Sequence, residues 1–337
     1  MEGPAFESRT AIFTQGERSG LLGTLSEEPL SMDALKICGK VTPFAVGFRL
    51  QPDRVMPFLR NAVKAVQGQK GLESLNAVEK QLNTELGKDL EKEVRAAYGN
   101  EVVITSIAAL DNTGPVGPGP AFVGTISVQD MKKAEELLGQ VLARIAAKMD
   151  ANGLAANVMK EIDYEGTKIR YLTPPRIAGV IEVSPAFALQ DNRVVIALDV
   201  PTLKLALRNL KEGSLADTEQ FKTALAGVGG KMGPMFSYVD WAYVYKSTFS
   251  LGTAALKLVA PTDILKEIGI DMNLVPSTDT VSKHLFPGLS VARITATGVT
   301  MTSRSPLPSM EVIAPPMAAV AAVFASFRPF VLPEVKK

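Results

Sequence analysis

In the stretch "PAFVGTISVQDMKKAEELL", Pro120 to Leu138, the character of the chain changes at one acidic residue. As far as Val128 it is rich in β-branched and aromatic residues, the composition of a pleated strand. From Met131 onward, Ala134, Leu137, Leu138, Val141 and Leu142 return at spacings of three and four, which predicts an amphipathic helix. Asp130 sits at the junction, where a carboxylate stabilises a helix start by accepting from free backbone N–H groups and by facing the positive end of the helix dipole.

Three further segments share this plan: "PFAVGFRLQPDRVMPFL", "NRVVIALDVPTLKLAL" and "PMFSYVDWAYVYKSTF", with Asp53, Pro201 and Asp240 at their boundaries. Between them lie β-rich runs with turn signals. "IDYEGTKIRYL" turns at Glu165-Gly166, "VIEVSPAFALQDNRVVIALDV" near Asp191-Asn192, and "LSVARITATGVTMTSRSPL" around Thr297-Gly298. Short loops between strands dictate antiparallel neighbours. The expected fold is therefore α+β, a largely antiparallel sheet with helices packed on one side, built as two similar lobes of repeated strand-helix units. The expected boundaries are a poorly ordered lead-in at 1–30, lobes at 31–175 and 176–310, and an apolar tail at 311–337. Leu72, Leu75, Val78, Leu82, Leu86, Leu90 and Val94 predict one long helix between Gly71 and Tyr98 with a single buried stripe, its charges forming a solvated face.

Composition excludes several classes of function. The chain has 337 residues, 46% hydrophobic and 21% charged, and 36 basic residues against 35 acidic ones leave a formal charge of +1. A nucleic-acid partner is not expected, because phosphate-backbone binding draws on a basic excess. One Cys (Cys38) and one His (His284) give no cluster for a metal site, and neither metal nor cofactor is expected. The glycines of "DNTGPVGPGP" do not make a phosphate loop: Pro115, Pro118 and Pro120 remove N–H donors, and a strand rather than a helix follows. His284 lies in "TVSKHLFPG" with Ser277, Ser282 and Asp279 nearby, the residue types of a hydrolytic triad without a nucleophile-elbow motif.

Two stretches are candidates for contact with other molecules. "GPMFSYVDWAYVYK" gathers the only Trp and three of the six Tyr, so Tyr238, Trp241, Tyr243 and Tyr245 are a candidate partner-contact patch beside Asp240, whose default role is a helix cap. "VIAPPMAAVAAVFASF", Val312 to Phe327, is uncharged but shorter than the roughly 20 residues that span a bilayer. Val312, Met317, Val320, Val323, Phe324 and Phe327 are candidates for docking to a membrane surface or protein partner. The N-terminus has no basic region followed by an apolar one, so as written it is not a secretory signal.

The order of "SGLLGTLSEEPLSMDALKICGKVTPFAVGFRLQPDRVMPFL", "YEGTKIRYLTPP", "SPAFALQDNRVVIALDVPTLKLALRNLKEGSLAD", "PMFSYVDWAYVYKS" and "SVARITATGVTMTSRSPLP" resembles an uncharacterised extracytoplasmic domain of planctomycete-type bacterial envelope proteins. That domain is often found before a pilin-like secreted module. The resemblance covers roughly residues 20 to 310, with "SLAD" and "TSRSPLP" its most specific pieces. It implies a periplasmic-side, membrane-associated address, whereas the lack of a signal taken by itself implies the cytoplasm. The expected function is a non-enzymatic structural or binding module of the bacterial cell envelope or of a larger membrane-associated assembly. The alternatives are a hydrolase built on carboxylates or His284, and a carrier of an apolar ligand in a cleft between the lobes.

Overall fold

A computed structural model describes residues 5–108 except 15 and 17, 121–151, 159–173, 184–247, 249, and 277–307 except 296. Eleven strands form one sheet in the order β1-β11-β10-β9-β2-β3-β4-β8-β7-β6-β5, and every neighbouring pair is antiparallel. The strands are β1 (Phe6–Phe13), β2 (Phe44–Arg49), β3 (Tyr98–Ile107), β4 (Ala121–Val128), β5 (Met159–Tyr164) and β6 (Thr167–Leu172), followed by β7 (Ala186–Gln190), β8 (Arg193–Ala197), β9 (Met235–Val239), β10 (Gly288–Thr295) and β11 (Gly298–Ser305). The fold is α+β with a single large antiparallel sheet. Strands from 31–175 and from 176–310 interleave in it, so they do not separate into two sheets.

All four strand-helix junctions form. β2 leads into α2 (Pro52–Leu86), β4 into α4 (Met131–Ala151), β8 into α5 (Val200–Glu212), and β9 into helical turns at 241–247. Asp130 accepts from the Lys133 N–H at 3.1 Å and Asp240 from the Tyr243 N–H at 3.0 Å. At α5 the capping carboxylate is Asp199, which accepts from the Thr202 N–H at 2.7 Å, with Pro201 in the first turn just inside it. At α2 the cap position is Gln51, and Asp53 instead pairs with Arg95 across to α3 (Leu90–Ala97).

Helices cover both faces of the sheet rather than one. On the first face, the 3-10 turn Met32–Ile37, α5, α6 (Glu219–Gly227) and the 3-10 turn Leu215–Asp217 close over Ala45, Val103, Val123, Val195, Phe236 and Leu289, with Leu35, Ile37, Leu203 and Phe221 fully buried among them. Gly47 makes this approach possible, since a Cβ there would lie 2.4 Å from the Phe236 ring and 2.7 Å from Leu30. On the opposite face, Met131, Ala134 and Leu138 of α4 meet Val194 and Ile196, while Trp241 and Val244 meet Phe44, Val46 and Val239. Periodicity marks the apolar stripe of each helix, but the side of the sheet it meets depends on the path of the connection.

The long helix expected at 71–98 is two helices, and the first begins upstream. α2 doubles back at Gly68 (φ 70°, ψ −165°), and α3 starts after Gly87 and the Asp89 cap. The fold-back sets Arg60 against Glu79 at 2.8 Å and Glu91 at 3.2 Å, so part of the expected solvated face is an ion-pair network between helices. The lead-in expected to be poorly ordered carries β1, the short helix α1 (Gly20–Thr24), and the buried residues Leu25 and Leu30. β1 runs in full register with β11. It escapes sequence patterning because it buries neither face, so no apolar alternation is selected.

Candidate functional site

The aromatic stretch does not form one surface. Tyr238 is 2% exposed on the first face of the sheet, packed on Phe221 with ring centroids 6.0 Å apart, and burial pushes its hydroxyl pKa up, with the Asp240 charge adding to the effect. Trp241 lies on the opposite face. The reason is strand alternation: Tyr238 and Val239 point to opposite sides, and the helix begins on the Val239 side. Tyr243 and Tyr245 are half-buried in the helical turns, with Tyr245 stacked on Phe249 at 5.6 Å. Tyr238 is therefore closed to any partner. Asp240 is the cap its sequence context predicts.

The residues of the expected triad each have another setting. The His284 side chain is exposed, Ser282 is buried, and Asp279 pairs with Lys246 at 2.9 Å. The Ser277 hydroxyl caps the short helix Thr278–Ser282 through the Thr280 N–H. Cys38 is fully buried, and desolvation pushes its thiol up to about 12, with a hydrogen bond to Thr105 acting against this. It is a core residue. Among the described residues no group of His, Cys, Asp or Glu is arranged to hold a metal ion.

One dense polar cluster lies under the 3-10 turn Met32–Ile37. Glu101, largely buried, accepts from the Ser31 N–H at 2.7 Å and its hydroxyl at 2.8 Å, and faces Arg49 at 3.7 Å. Arg193, 4% exposed, donates to Asp33 at 3.2 Å, while its Nη1 is buried without a partner among the described residues. These bonds anchor the turn to β3 and β8. Their role is to fix the turn over the sheet.

Open cavities flank the sheet, two of them over 400 Å³. One of about 420 Å³ lies between α4 and strands β6 and β7, floored by Leu138, Phe187 and Leu189 and rimmed by Lys132, Lys168 and Arg170. Glu135 and Glu161 neutralise Arg170, each at 3.0 Å. The other, about 410 Å³, lies on the first face between the turn after α6 (Gly227 to Gly229) and β1 with β11, beside Glu7, Arg9, Arg293 and Thr302.

This second cavity adjoins the most unusual surface of the fold, the outer edge of β1. Phe6, Ile12 and Phe13 are 50%, 41% and 76% exposed. The Thr14 N–H donates to the Thr297 carbonyl. By the alternation of an antiparallel ladder, Ile12, Thr10, Ser8 and Phe6 bond inward to β11. The N–H and C=O groups of Glu7, Arg9, Ala11 and Phe13 then point outward, the arrangement that accepts an added strand. At the other edge, β5 is shorter and carries Lys160, Glu161 and Asp163, and charges of this kind deter pairing. The β1 edge has no counterpart among the sequence-based candidates. Its signal is the spacing of Phe6, Ile12 and Phe13 around an isolated Glu7–Arg9 pair.

The family model described as "Protein of unknown function (DUF3352)" matches residues 10–276, most of the chain. The chain belongs to the DUF3352 family. The family is uncharacterised, so its membership transfers no catalytic or binding residue. The match includes β2 to β9 and the second half of β1 from Thr10 onward, while Phe6 to Arg9 and the strands β10 and β11 lie outside it. Neither a curated protein nor a solved structure matches the chain significantly.

The expected docking of the C-terminal apolar segment to a membrane or partner is corrected. Among the described residues no helix is long and apolar enough to cross a membrane, and Val312, Met317, Val320, Val323, Phe324 and Phe327 lie outside the described residues.

Proposed function

We propose that this protein is a non-enzymatic binding module of the bacterial cell envelope that engages an extended segment of a partner along the β1 edge. The observation that carries this is the eight-residue edge itself, with outward backbone groups at Glu7, Arg9 and Ala11 and exposed apolar side chains at both ends. Main-chain hydrogen bonds supply affinity in such strand addition, and alternate side chains supply specificity. The resemblance to planctomycete-type envelope domains that precede pilin-like modules supports the envelope address. The exposure of His284, the burial of Ser282 and the pairing of Asp279 with Lys246 favour a binding role over hydrolysis.

The test is photo-crosslinking in cells, with the reactive side chain placed at Phe13 or at Lys160 on the opposite edge. Adducts are expected at position 13 and not at position 160, and Ala11→Pro abolishes them. Proline at 11 removes an outward N–H and leaves the β1–β11 ladder intact, whereas Thr10→Pro breaks that ladder. Adducts of equal yield at both edges, or adducts indifferent to Ala11→Pro, would overturn the proposal.

A second reading is a carrier of an amphiphile, favoured by the apolar floor and basic rim of the α4–β6–β7 cavity. A fluorescent fatty acid that binds the wild type and is lost with Leu189→Glu would support it.

A further inference from the structure

We infer that the strand received by β1 is β1 of a second copy of this chain, paired antiparallel about a two-fold axis at Ser8. This rests on the β1 edge being the working surface proposed above. A two-fold perpendicular to the sheet keeps each face of the sheet continuous, so residues of the same parity meet across the axis.

The charges select the register. With Ser8 opposite Ser8, Glu7 of each copy lies opposite Arg9 of the other, twice, and both residues have their backbone groups outward, so each pair exchanges two main-chain hydrogen bonds. Moving the axis one residue toward the N-terminus sets Glu7 against Glu7. Moving it one residue the other way sets Arg9 against Arg9. Like charges directly opposite are destabilising. Neither Glu7 nor Arg9 has an ion-pair partner recorded among the described residues, and both side chains are exposed.

Side-chain packing agrees with the same register. Ser237, Ser290, Ser303 and Ser8 form a continuous row across β9, β10, β11 and β1, and the Ser303 and Ser8 hydroxyls are 2.6 Å apart. The row continues through the axis into the second copy. On that face Phe6 comes opposite Thr10 of the other copy and diagonal to its Ile12, which covers two of the exposed apolar side chains.

Sedimentation equilibrium of the purified full chain tests this. The wild type is expected to be a dimer. Ala11→Pro, Glu7→Arg and Arg9→Glu are each expected to raise the dissociation constant by about tenfold or more. The double exchange Glu7→Arg with Arg9→Glu restores the wild-type value, because the reciprocal pairs re-form with their signs reversed. Circular dichroism confirms folding of each variant. A wild type that stays monomeric, a dimer indifferent to Ala11→Pro, or a double exchange that fails to restore pairing would overturn the inference. A monomeric wild type that still gives Ala11-dependent adducts at position 13 in cells overturns the dimer alone. A monomer without such adducts overturns the edge as well.

Discussion

Arg193 offers a test of how the core is held together. Among the described residues its guanidinium, buried on β8, makes one bond to Asp33 at 3.2 Å and leaves Nη1 without a partner. Asp33 is 57% exposed. A hydrogen bond to a charged group contributes about 1.5 to 3 kcal/mol, and the unpaired N–H costs about 1 to 3 kcal/mol. Desolvating the ion costs several kcal/mol more. These terms nearly cancel or sum unfavourably, so Arg193→Met, similar in reach and free of charge, should fall within about 1 kcal/mol of the wild type or above it. Asp33→Ala leaves the buried charge with no carboxylate. Removing one partner of a fully buried pair costs roughly 3 to 5 kcal/mol, and water at the exposed carboxylate reduces this to about 1 to 2 kcal/mol. Asp33→Ala added to Arg193→Met should cost little further, because the charge it unpairs is gone. Urea denaturation at constant m-value reads all three variants. If Arg193→Met lost more than about 3 kcal/mol while Asp33→Ala lost nothing, the guanidinium would be fully satisfied by other groups and the accounting would be wrong.

Other expectations follow from single features. Gly68→Ala places an L side chain at φ 70°, ψ −165° with open space around it, so it should cost about 1 to 3 kcal/mol by backbone strain alone, read by chemical denaturation. Phe221→Ala, fully buried against Tyr238, should cost about 3 to 5 kcal/mol in the same assay. Asp240→Ala should cost about 1 kcal/mol through its lost cap and leave any β1-dependent association unchanged; a loss of association would point to the aromatic stretch instead. Burial raises the Cys38 thiol from 9.0 to about 12, so the folded state favours the neutral form. Its contribution is undiminished below about pH 9 and is lost as pH rises toward about 12, a slope that Cys38→Ala removes.

Local chemistry made much of this fold legible in the sequence. Asp130 and Asp240 cap the helices that their positions announce. Glu165-Gly166 and Asp191-Asn192 turn with positive φ at all four residues, as tight hairpins between antiparallel strands require. What was not legible depends on long-range placement. The two faces of the sheet are equivalent to a helix reading only its own period, so α4 and α5 could not be assigned to opposite sides. Tyr238 and Trp241 look adjacent in sequence, yet the sheet lies between them. β1 was hidden because a strand at an exposed edge has no buried face to impose alternation, and a candidate surface there shows itself only once β11 is seen beside it.

The contrast between the two edges bears on how association would stop. An exposed strand end to end with apolar residues is a template for open-ended pairing unless something closes it. A two-fold at Ser8 consumes the β1 edge of both copies at once, since the same edge serves as donor and receiver. The edges left at the outside of the joined sheet are then both β5, where Glu161 is held by Arg170 and Lys168, and Lys160 and Asp163 add further charge to a six-residue strand. Further strand addition there would place charged side chains against whatever approached. The pairing that the Glu7–Arg9 spacing selects thus also covers Phe6 and Ile12, and growth beyond two copies is opposed by the residues β5 already carries.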